Sequence, residues 1–337
     1  MITLRVRNVH EALPVAIELL HRIGIRRESR NGPVLQSPEP VATVYEHPTE
    51  RVIFWPERDA NPFLHLYESL WMLAGHNDLA PLLRYTKRFA EFSDDGETLH
   101  GAYGYRWRNH FRIQAVKSEY HKTDQLSVIA EQLKANPEDR RCVLGMWDPE
   151  ADLGRQGKDL PCNDTATFQI GPDGRLNMVV FCRSNDIVWG AYGANAVHFS
   201  YLLEYMAAWI GVPVGTYTQV SVNWHAYLKT LEPVRKLNLA YGDPYGSGRV
   251  LSHSLPSAAF AGGIEVIDRD ISEILRQADS GEWNEWTVKL SWSASVIYIL
   301  HMHHNWKTRG RAWTLKYAIP VDDWSLAAIE WLERRKA

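Results

Sequence analysis

The feature of this sequence that most limits its possible folds is the apolar segment AVHFSYLLEYMAAWI at residues 196–210. Its residues follow helical spacing with almost no polar face, and Gly211 directly after it favours a helix end. A helix that is apolar around most of its circumference must be buried on most sides. We therefore expect a fold built around one buried central helix.

The other periodic segments place most helices early in the chain and the strands after them. Helical spacing is found at residues 9–24, 61–75 and 126–135 and from residue 322 onward. Strand composition is found at residues 141–147, 165–170, 176–182 and 214–222. Helices followed by strands predict an α+β fold rather than an alternating parallel one.

Composition and charge limit the class of protein and its partners. The 337 residues are 45% hydrophobic and 23% charged, and no linker or repeat divides them, which predicts one domain over residues 1–337. The formal net charge of -3 gives no electrostatic reason to expect a nucleic-acid polymer as the main ligand. Because signal-peptide and membrane-spanning patterns are missing from the sequence, we expect a cytoplasmic protein.

The chain has three cysteines, at positions 142, 162 and 182, without paired CxxC spacing. This number argues against a disulfide framework and a structural zinc site. Cys162 stands between a polar loop and a predicted strand, where a side chain can be both held and exposed. That position suits a nucleophile, although a small apolar residue at a strand start is the alternative.

Two arginine clusters are candidates for binding an anion. Arg183 and Ser184 follow a predicted strand, and a guanidinium beside a hydroxyl can clamp a phosphate and favour a nearby thiolate. The second cluster is Arg140 with Arg141. An isolated arginine pair can also be an ordinary solvated surface feature, so neither cluster is specific by itself.

Taken together, the motifs of this chain resemble those of thymidylate synthase and its nucleotide hydroxymethylase relatives, in the family's order. The matching segments are ESLWML at 68–73, GAYGYRWR at 101–108, DQL at 124–126, NPEDRR at 136–141, PC at 161–162, RSND at 183–186 and NWHAYL at 223–228. The resemblance runs from about residue 30 to 233, and residues 234–337 have no clear match. It implies a large twisted mixed β-sheet with flanking helices, one buried central helix and a sheet face at a dimer interface.

The resemblance also implies a reaction. Cys162 would add to C6 of a pyrimidine nucleotide, so that C5 becomes a nucleophile toward the methylene of 5,10-methylenetetrahydrofolate. Glu68 would be the general acid and base. The implied binding residues are Arg30, Arg183 and Ser184 for the phosphate, with Arg140 and Arg141 from a second subunit, His225 and Tyr227 for the sugar, and Asp186 and Trp71 for the folate. The expected assembly is a homodimer with shared active sites.

Base recognition departs from the family's pattern. Asn163 follows the cysteine where thymidylate synthases have His. Ala194 stands where they have the Asn that recognises uracil, with Asn195 immediately after it. An amide can pair with both O4 and N3–H of uracil, whereas alanine pairs with neither. We therefore expect Ala194, Asn195 and Asn163 to form the base pocket, and cytidylate to be the preferred substrate, with ribose or deoxyribose left open.

Two family features that exclude water from the site are also missing. Residues 84–92, RYTKRFAEF, replace a tryptophan-rich stretch, and the end WLERRKA does not resemble the family's short apolar tail. Their loss favours water as the final nucleophile. The chain therefore resembles most the CMP/dCMP 5-hydroxymethylase branch; the alternatives are thymidylate synthase and deoxyuridylate hydroxymethylase.

Functions of other classes are also compatible with parts of the sequence. A non-catalytic nucleotide-binding homologue would not need Glu68, Cys162 and the arginines together, and no His/Asn partners for a cysteine hydrolase can be identified. The run His301-Met302-His303-His304 suggests a metal site, but no carboxylate recurs there at ligand spacing. We therefore expect no metal.

Overall fold

The computed structural model describes residues 1–114 and 120–335. Its strands are β1 Ile2–Val6, β2 Ile25–Arg27, β3 Val34–Gln36, β4 Val41–Tyr45, β5 Arg112–Gln114, β6 Tyr120–Lys122, β7 Val143–Gly145, β8 Asn163–Ile170, β9 Leu176–Asp186 and β10 Val214–Tyr227. Its helices are α1 Val9–Ile23, α2 Pro62–Leu73, α3 Tyr103–Tyr105, α4 Gln125–Ala135, α5 Pro149–Asp152, α6 Asn195–Ile210, α7 Leu228–Val234, α8 Ala258–Ala261, α9 Ile264–Ser280, α10 Ser291–Arg309, α11 Arg311–Tyr317 and α12 Asp323–Glu333.

The strands form one large mixed sheet and a separate small hairpin. The main path runs β1-β4-β10-β9-β8-β7, with β3 also paired to β10 and β2 to β3. Strand β10 is parallel to β9 and antiparallel to β4, whereas β8 is antiparallel to both β7 and β9. Helices flank this sheet, so the α+β class with a large mixed sheet is confirmed.

Helix α6 is the buried central helix that the apolar segment predicts. Its residues from Ala196 to Ala208 are all buried, and Gly211 ends it in the left-handed conformation with φ of 86°. Its one buried carboxylate, Glu204, pairs with the buried guanidinium of Arg51. The helix therefore contributes both the middle of the core and a compensated charge inside it.

Two strands extend further than their composition predicts. The segment predicted at 176–182 continues to Asp186, and the segment predicted at 214–222 continues to Tyr227. The polar ends pair with each other in parallel register, with Ser184 opposite Asn223 and Asp186 opposite His225. Pairing with a neighbouring strand satisfies backbone groups whatever the side chains are, so polar motif residues become strand residues.

The connection from β9 to α6 is wound more loosely than an α-helix. Residues Ile187–Ala194 form π-helical turns, interrupted by non-helical backbone at Tyr192 and Gly193. The backbone therefore bends at this point, before the regular turns of α6 begin. The position of Asn195 at the start of α6 depends on this connection.

One face of the sheet is left uncovered by the part of the chain that the structure describes. Alternate residues of β9 from Leu176 to Cys182 are buried beneath the helices. The opposite face carries apolar side chains that are 53%, 41% and 56% exposed at Val143, Phe181 and Val222.

The C-terminal helices pack against α2, among them the predicted α12, which begins after Asp322 in a capping box. Residues 336–337 of the terminal segment lie outside the described residues. In the run of histidines, His301 lies against Trp283 with ring centroids 5.1 Å apart. Within the described ranges, no helix is long and apolar enough to cross a membrane, and no group of three or more His, Cys, Asp or Glu side chains could hold a metal ion.

Candidate active site

The pairing of β8 with β9 brings the predicted nucleophile and the predicted phosphate clamp together. The backbone N–H of Arg183 donates to the carbonyl of Cys162 at 2.8 Å. The side chain of Arg183 also bonds to the residues just before Cys162. Its Nε donates to the carbonyl of Pro161 at 2.8 Å and its Nη2 to that of Leu160 at 3.2 Å. The guanidinium is thus fixed beside Cys162 while the residue stays exposed.

Cys162 is partly exposed and held by a tyrosine that sequence analysis missed as a site residue. The hydroxyl of Tyr103 accepts hydrogen bonds from the backbone N–H groups of Cys162 and Asn163, at 3.0 and 3.1 Å. Tyr103 belongs to the GAYGYRWR motif, so its place in that motif was the available signal. It fixes the backbone from which the thiol projects.

Burial raises the pKa of the Cys162 thiol above its ordinary value. The positive charges of Arg183 and Arg30 lower this pKa, as the sequence suggested for Arg183, but they do not outweigh burial together with the negative charges of Asp159 and Asp164. The thiol is therefore protonated at neutral pH in the ligand-free protein. It must lose its proton when the substrate binds.

Glu68 lies on α2 with 14% of its side chain exposed. Burial, with a smaller contribution from the negative charge of Asp159, raises the pKa of Glu68 to about 8. Asp159 is itself held by the backbone N–H of Gly101, which donates to it at 2.8 Å. A carboxyl group with this pKa can both give and take a proton near neutral pH, which suits a general acid and base.

The base-pocket residues form a chain of side-chain amides. The amide Nδ2 of Asn163 donates to Oδ1 of Asn195 at 3.2 Å, and Nδ2 of Asn195 donates to Oδ1 of Asn185 at 3.1 Å. Asn185 in turn donates to the hydroxyl of Ser221 at 3.0 Å. The amide of Asn195 is thus part of this chain of hydrogen bonds, while Ala194, the residue before it, has only a methyl side chain.

The loop that carries Arg30 lies beside the predicted sugar-binding residues. Ser29 Oγ donates to the carbonyl of Gly32 at 2.6 Å, and Gly32 has a φ of 111° that glycine adopts readily. Asn31 Nδ2 is 3.5 Å from the hydroxyl of Tyr227, whose ring meets that of His225 edge-on. Since the charge of Arg30 also acts on Cys162, the structure brings Arg30, Cys162 and Arg183 to one cleft.

Arg140 and Arg141 are not in that cleft within the same chain. The carbonyl of Cys142 accepts from the N–H of Phe168, so Arg141 lies toward the far end of β8 from Cys162. At about 3.3 Å per strand residue, the distance is roughly 20 Å. Arg141 is 80% exposed and paired with Asp139.

Of the two predicted folate residues, Asp186 mainly organises the backbone. Its Oδ1 accepts from the N–H groups of Val188 and Trp189 at 2.9 and 2.6 Å, and its Oδ2 accepts from that of Tyr227 at 3.2 Å. The other, Trp71, is 3% exposed and donates to Asp78. Trp71 can therefore form a wall of the site but offers little surface to a ligand.

The exposed indole at this end of the cleft is Trp189, which sequence analysis missed. The guanidinium carbons of Arg58 and Arg88 lie 4.4 and 4.8 Å from its ring centre. Nη2 of Arg58 is buried and has no hydrogen-bond partner among the described residues. An exposed aromatic ring with two guanidinium groups close to it suits a planar ligand that carries negative charge.

Comparison with known proteins identifies relatives along the whole chain. The thymidylate synthase family model matches residues 56–240. A deoxyuridylate hydroxymethyltransferase from Pseudomonas phage M6 is 47% identical over 352 aligned residues, which cover 100% of this chain and 95% of that protein. A deoxyuridylate hydroxymethyltransferase from Bacillus phage SP01 is 40% identical over 204 residues, 59% of this chain and 53% of that protein. A thymidylate synthase from human herpesvirus 8 type P is 32% identical over 186 residues, 50% of this chain and 53% of that protein.

The raised pKa of Cys162 predicts slow alkylation at neutral pH. Because only the thiolate reacts with iodoacetamide, the rate at pH 7 should be below that of free cysteine and should still be rising above pH 9. The measurement is the mass gain at Cys162 against time, with Cys162→Ser as the control for reaction at Cys142 and Cys182. A rate that is already maximal at pH 7 would show a preformed thiolate and contradict the prediction.

Proposed function

The chain belongs to the thymidylate synthase family and is a one-carbon transferase acting on a pyrimidine nucleotide, and within that class we propose that it is a deoxyuridylate 5-hydroxymethyltransferase. The observation that carries the proposal is the 47% identity, over the whole chain, with a phage protein of that name. The sequence alone favoured CMP or dCMP, because Ala194 cannot pair with uracil. The hydrogen-bonded amides of Asn163, Asn195 and Asn185 supply a group at Asn195 that can, so Ala194 no longer argues against deoxyuridylate.

Asn195 offers what the uracil edge requires. Its Oδ1 accepts one hydrogen bond from Asn163, which leaves a second lone pair for the N3–H of uracil. Its Nδ2 donates one hydrogen bond to Asn185, which leaves a second N–H for O4. Uracil can therefore be recognised by Asn195, with Ala194 as a small neighbour that leaves room for the ring.

Cytidylate is the second candidate, and one observation favours it. Oδ1 of Asn163 is buried without a hydrogen-bond partner in the described part of the chain, and it could accept from the cytosine N4 amino group. The amide chain ends at Ser221, whose hydroxyl can either accept or donate. In a second arrangement, with every amide turned around, the chain also stays bonded. Asn195 then presents an acceptor for N4 and a donor for N3 of cytosine, and Asn163 Oδ1 accepts from Asn195 instead of from the base.

The cleft supports covalent catalysis by Cys162. The 5′-phosphate would be held by Arg30, Arg183 and Ser184, and the sugar by His225 and Tyr227. The Cys162 sulfur would then bond to C6 of the pyrimidine, which moves electron density to C5. The step divides one difficult substitution at an unreactive ring carbon into easier ones.

The family's one-carbon donor is 5,10-methylenetetrahydrofolate, which supplies carbon at the oxidation level of formaldehyde. Trp189, with the guanidinium groups of Arg58 and Arg88 close to its ring, fits a planar, anionic molecule of this kind. Asp186 and Trp71 are its predicted neighbours. Glu68 would hold and move protons at the ring edge. Water rather than hydride would complete the reaction, because residues 84–92 replace the tryptophan-rich stretch that helps to exclude water in the family.

We propose a homodimer that shares its active sites. The exposed apolar sheet face around Val143, Phe181 and Val222 supports such an interface, since contiguous exposed apolar surface commonly marks an association site. Arg140 and Arg141 lie roughly 20 Å from their own Cys162, at about 3.3 Å per strand residue. They would therefore reach the phosphate bound by the other subunit.

Two further expectations, a single domain and a cytoplasmic location, remain predictions from the sequence.

The substrate is tested by offering dUMP, dCMP and CMP separately with 5,10-methylenetetrahydrofolate. We expect dUMP to gain a hydroxymethyl group by mass, at a kcat/KM at least about tenfold above that for dCMP, because a matched polar edge separates the bases. Absorbance should show no dihydrofolate. Hydroxymethylation of dCMP or CMP in preference to dUMP would select the second candidate, and a methylated product with dihydrofolate would reject hydroxymethyl transfer.

Site sharing is tested by mixing two inactive variants. Cys162→Ser and Arg141→Ala, combined so that subunits exchange at random, should recover about a quarter of wild-type activity, because half of the dimers are mixed and each has one intact site. The matched control combines Cys162→Ser with Arg183→Ala, which leaves both sites of a mixed dimer defective. Equal recovery in the two mixtures, or none in the first, would contradict the shared site.

A further inference from the structure

A buried histidine stands directly behind the predicted acid and base. His198 lies on α6, three residues after Asn195, with 4% of its side chain exposed. Its Nε2 is 3.3 Å from Oε2 of Glu68. The two atoms are within reach but are not aligned as a hydrogen bond in this structure, and Nε2 has no other partner among the residues that the structure describes. Nε2 is therefore free to donate to the Glu68 oxygen after a small reorientation.

We propose that His198 is a positioning residue, whose Nε2–H donates a hydrogen bond that holds the Glu68 carboxylate while it takes a proton from the water that completes the reaction. This inference rests on the proposed hydroxymethyl transfer. It assigns to α6 an imidazole that thymidylate synthases place directly after the cysteine, where this chain has Asn163.

The step balances without an oxidant or reductant. The nucleotide carries the Cys162 sulfur on C6 and an exocyclic methylene on C5, conjugated with the C4 carbonyl. The water oxygen bonds to the methylene carbon, its proton passes to Glu68, and the displaced electron pair moves to O4 as an enolate. The enolate then re-forms the C5–C6 double bond and expels the Cys162 thiolate, which releases the 5-hydroxymethyl nucleotide.

The charges around the pair favour a neutral donor. Burial lowers the pKa of His198 to about 3, so its ring stays uncharged throughout the working range. A charged histidine would form an ion pair with Glu68 and weaken it as a base, whereas a neutral N–H orients the carboxylate and leaves it basic. The pair thus combines orientation with a pKa near 8 for Glu68.

The other titratable groups at the pair come from two elements. His65, one turn earlier on α2, meets the ring of His198 edge-on with centroids 6.2 Å apart, and burial followed by the charge of Arg58 lowers the pKa of His65. Asp159, on the segment before Cys162, contributes the negative charge that raises the pKa of Glu68. Neither His65 nor Asp159 donates a hydrogen bond to Glu68 in the described structure. We therefore assign the role of donor to His198.

The test compares His198→Ala with His198→Gln in the full-length protein. We expect the alanine variant to lose about tenfold to a hundredfold in kcat, with KM for dUMP changed less than about threefold, because the base and not nucleotide binding is affected. Without this donor the pKa of Glu68 should rise, because the hydrogen bond stabilises the carboxylate. The part of the pH profile in which kcat increases as Glu68 ionises should therefore shift to higher pH. Glutamine, whose amide N–H can reach the same oxygen, should restore most of kcat and the original limb.

Two further readouts separate positioning from folding. The first is a stability control, His303→Ala. His303 is a buried histidine of α10 whose pKa is likewise lowered by burial to about 3. This variant should lower Tm about as much as His198→Ala does, with kcat retained.

The second readout is chemical trapping in His198→Ala with 2-mercaptoethanol present. Because water adds slowly to the methylene in this variant, the thiol should add instead, and a thioether of the nucleotide should appear by mass.

An alanine variant with unchanged kcat and pH limb, or a glutamine variant no better than alanine, would overturn the assignment of His198. Loss of activity that follows the thermal shift equally in His198→Ala and His303→Ala would overturn it as well. Failure of the proposed function is seen separately, because the wild-type protein would then yield no hydroxymethyl nucleotide.

Discussion

The site depends on the antiparallel pairing of β8 with β9 at the point where Cys162 meets Arg183. The backbone of Arg183 bonds to Cys162, and its side chain bonds to the two carbonyl groups before it. A guanidinium has five N–H donors, so those that do not hold the loop remain for a phosphate. Arg183 can therefore both shape the loop of Cys162 and anchor the nucleotide. The distance from the Cys162 sulfur to the pyrimidine ring then depends on the register between β8 and β9.

The resting site avoids buried, unpaired charge around its reactive groups. Burial raises the pKa values of the Cys162 thiol and the Glu68 carboxyl and lowers that of the His198 imidazole. All three groups are therefore mainly neutral at pH 7, which avoids the cost of isolated charges in a low-dielectric surrounding. Positive charge is kept on Arg30 and Arg183, so the arrival of a phosphate and the loss of the thiol proton can be coupled in one cleft.

The sequence predicted several parts of the fold that depend on apolar periodicity, and it missed the strand ends that depend on tertiary pairing. Helix α6 was predictable because a helix that is apolar on almost all sides must be buried in the core. The polar ends of β9 and β10 were not, because their strand conformation comes from each other's backbone. Helices α9 and α10 were also missed, although their long apolar faces pack on α2.

The motifs indicated which residues belong to the predicted site, whereas their contacts needed the structure. Motif order singled out Cys162, Arg183 and Glu68. Counting from Asp186 gave Ala194 with Asn195 beside it, and spacing in a sequence does not show which of these two side chains joins the hydrogen-bonded amides. Trp189 was overlooked because a single aromatic residue has no signature until its neighbours are known. Tyr103 was overlooked because its motif does not show which of the motif's side chains contacts Cys162. His198 was indistinguishable from any other residue of the apolar segment.

The central claim is that this cleft delivers water to a one-carbon unit on a thiol-bound pyrimidine. It is tested most directly by running the reaction with dUMP and 5,10-methylenetetrahydrofolate in water enriched in oxygen-18 and weighing the nucleotide product. The account predicts a hydroxymethyl nucleotide that carries one solvent oxygen-18 atom in the new group. A product with a methyl group and no oxygen-18 in it would contradict the account.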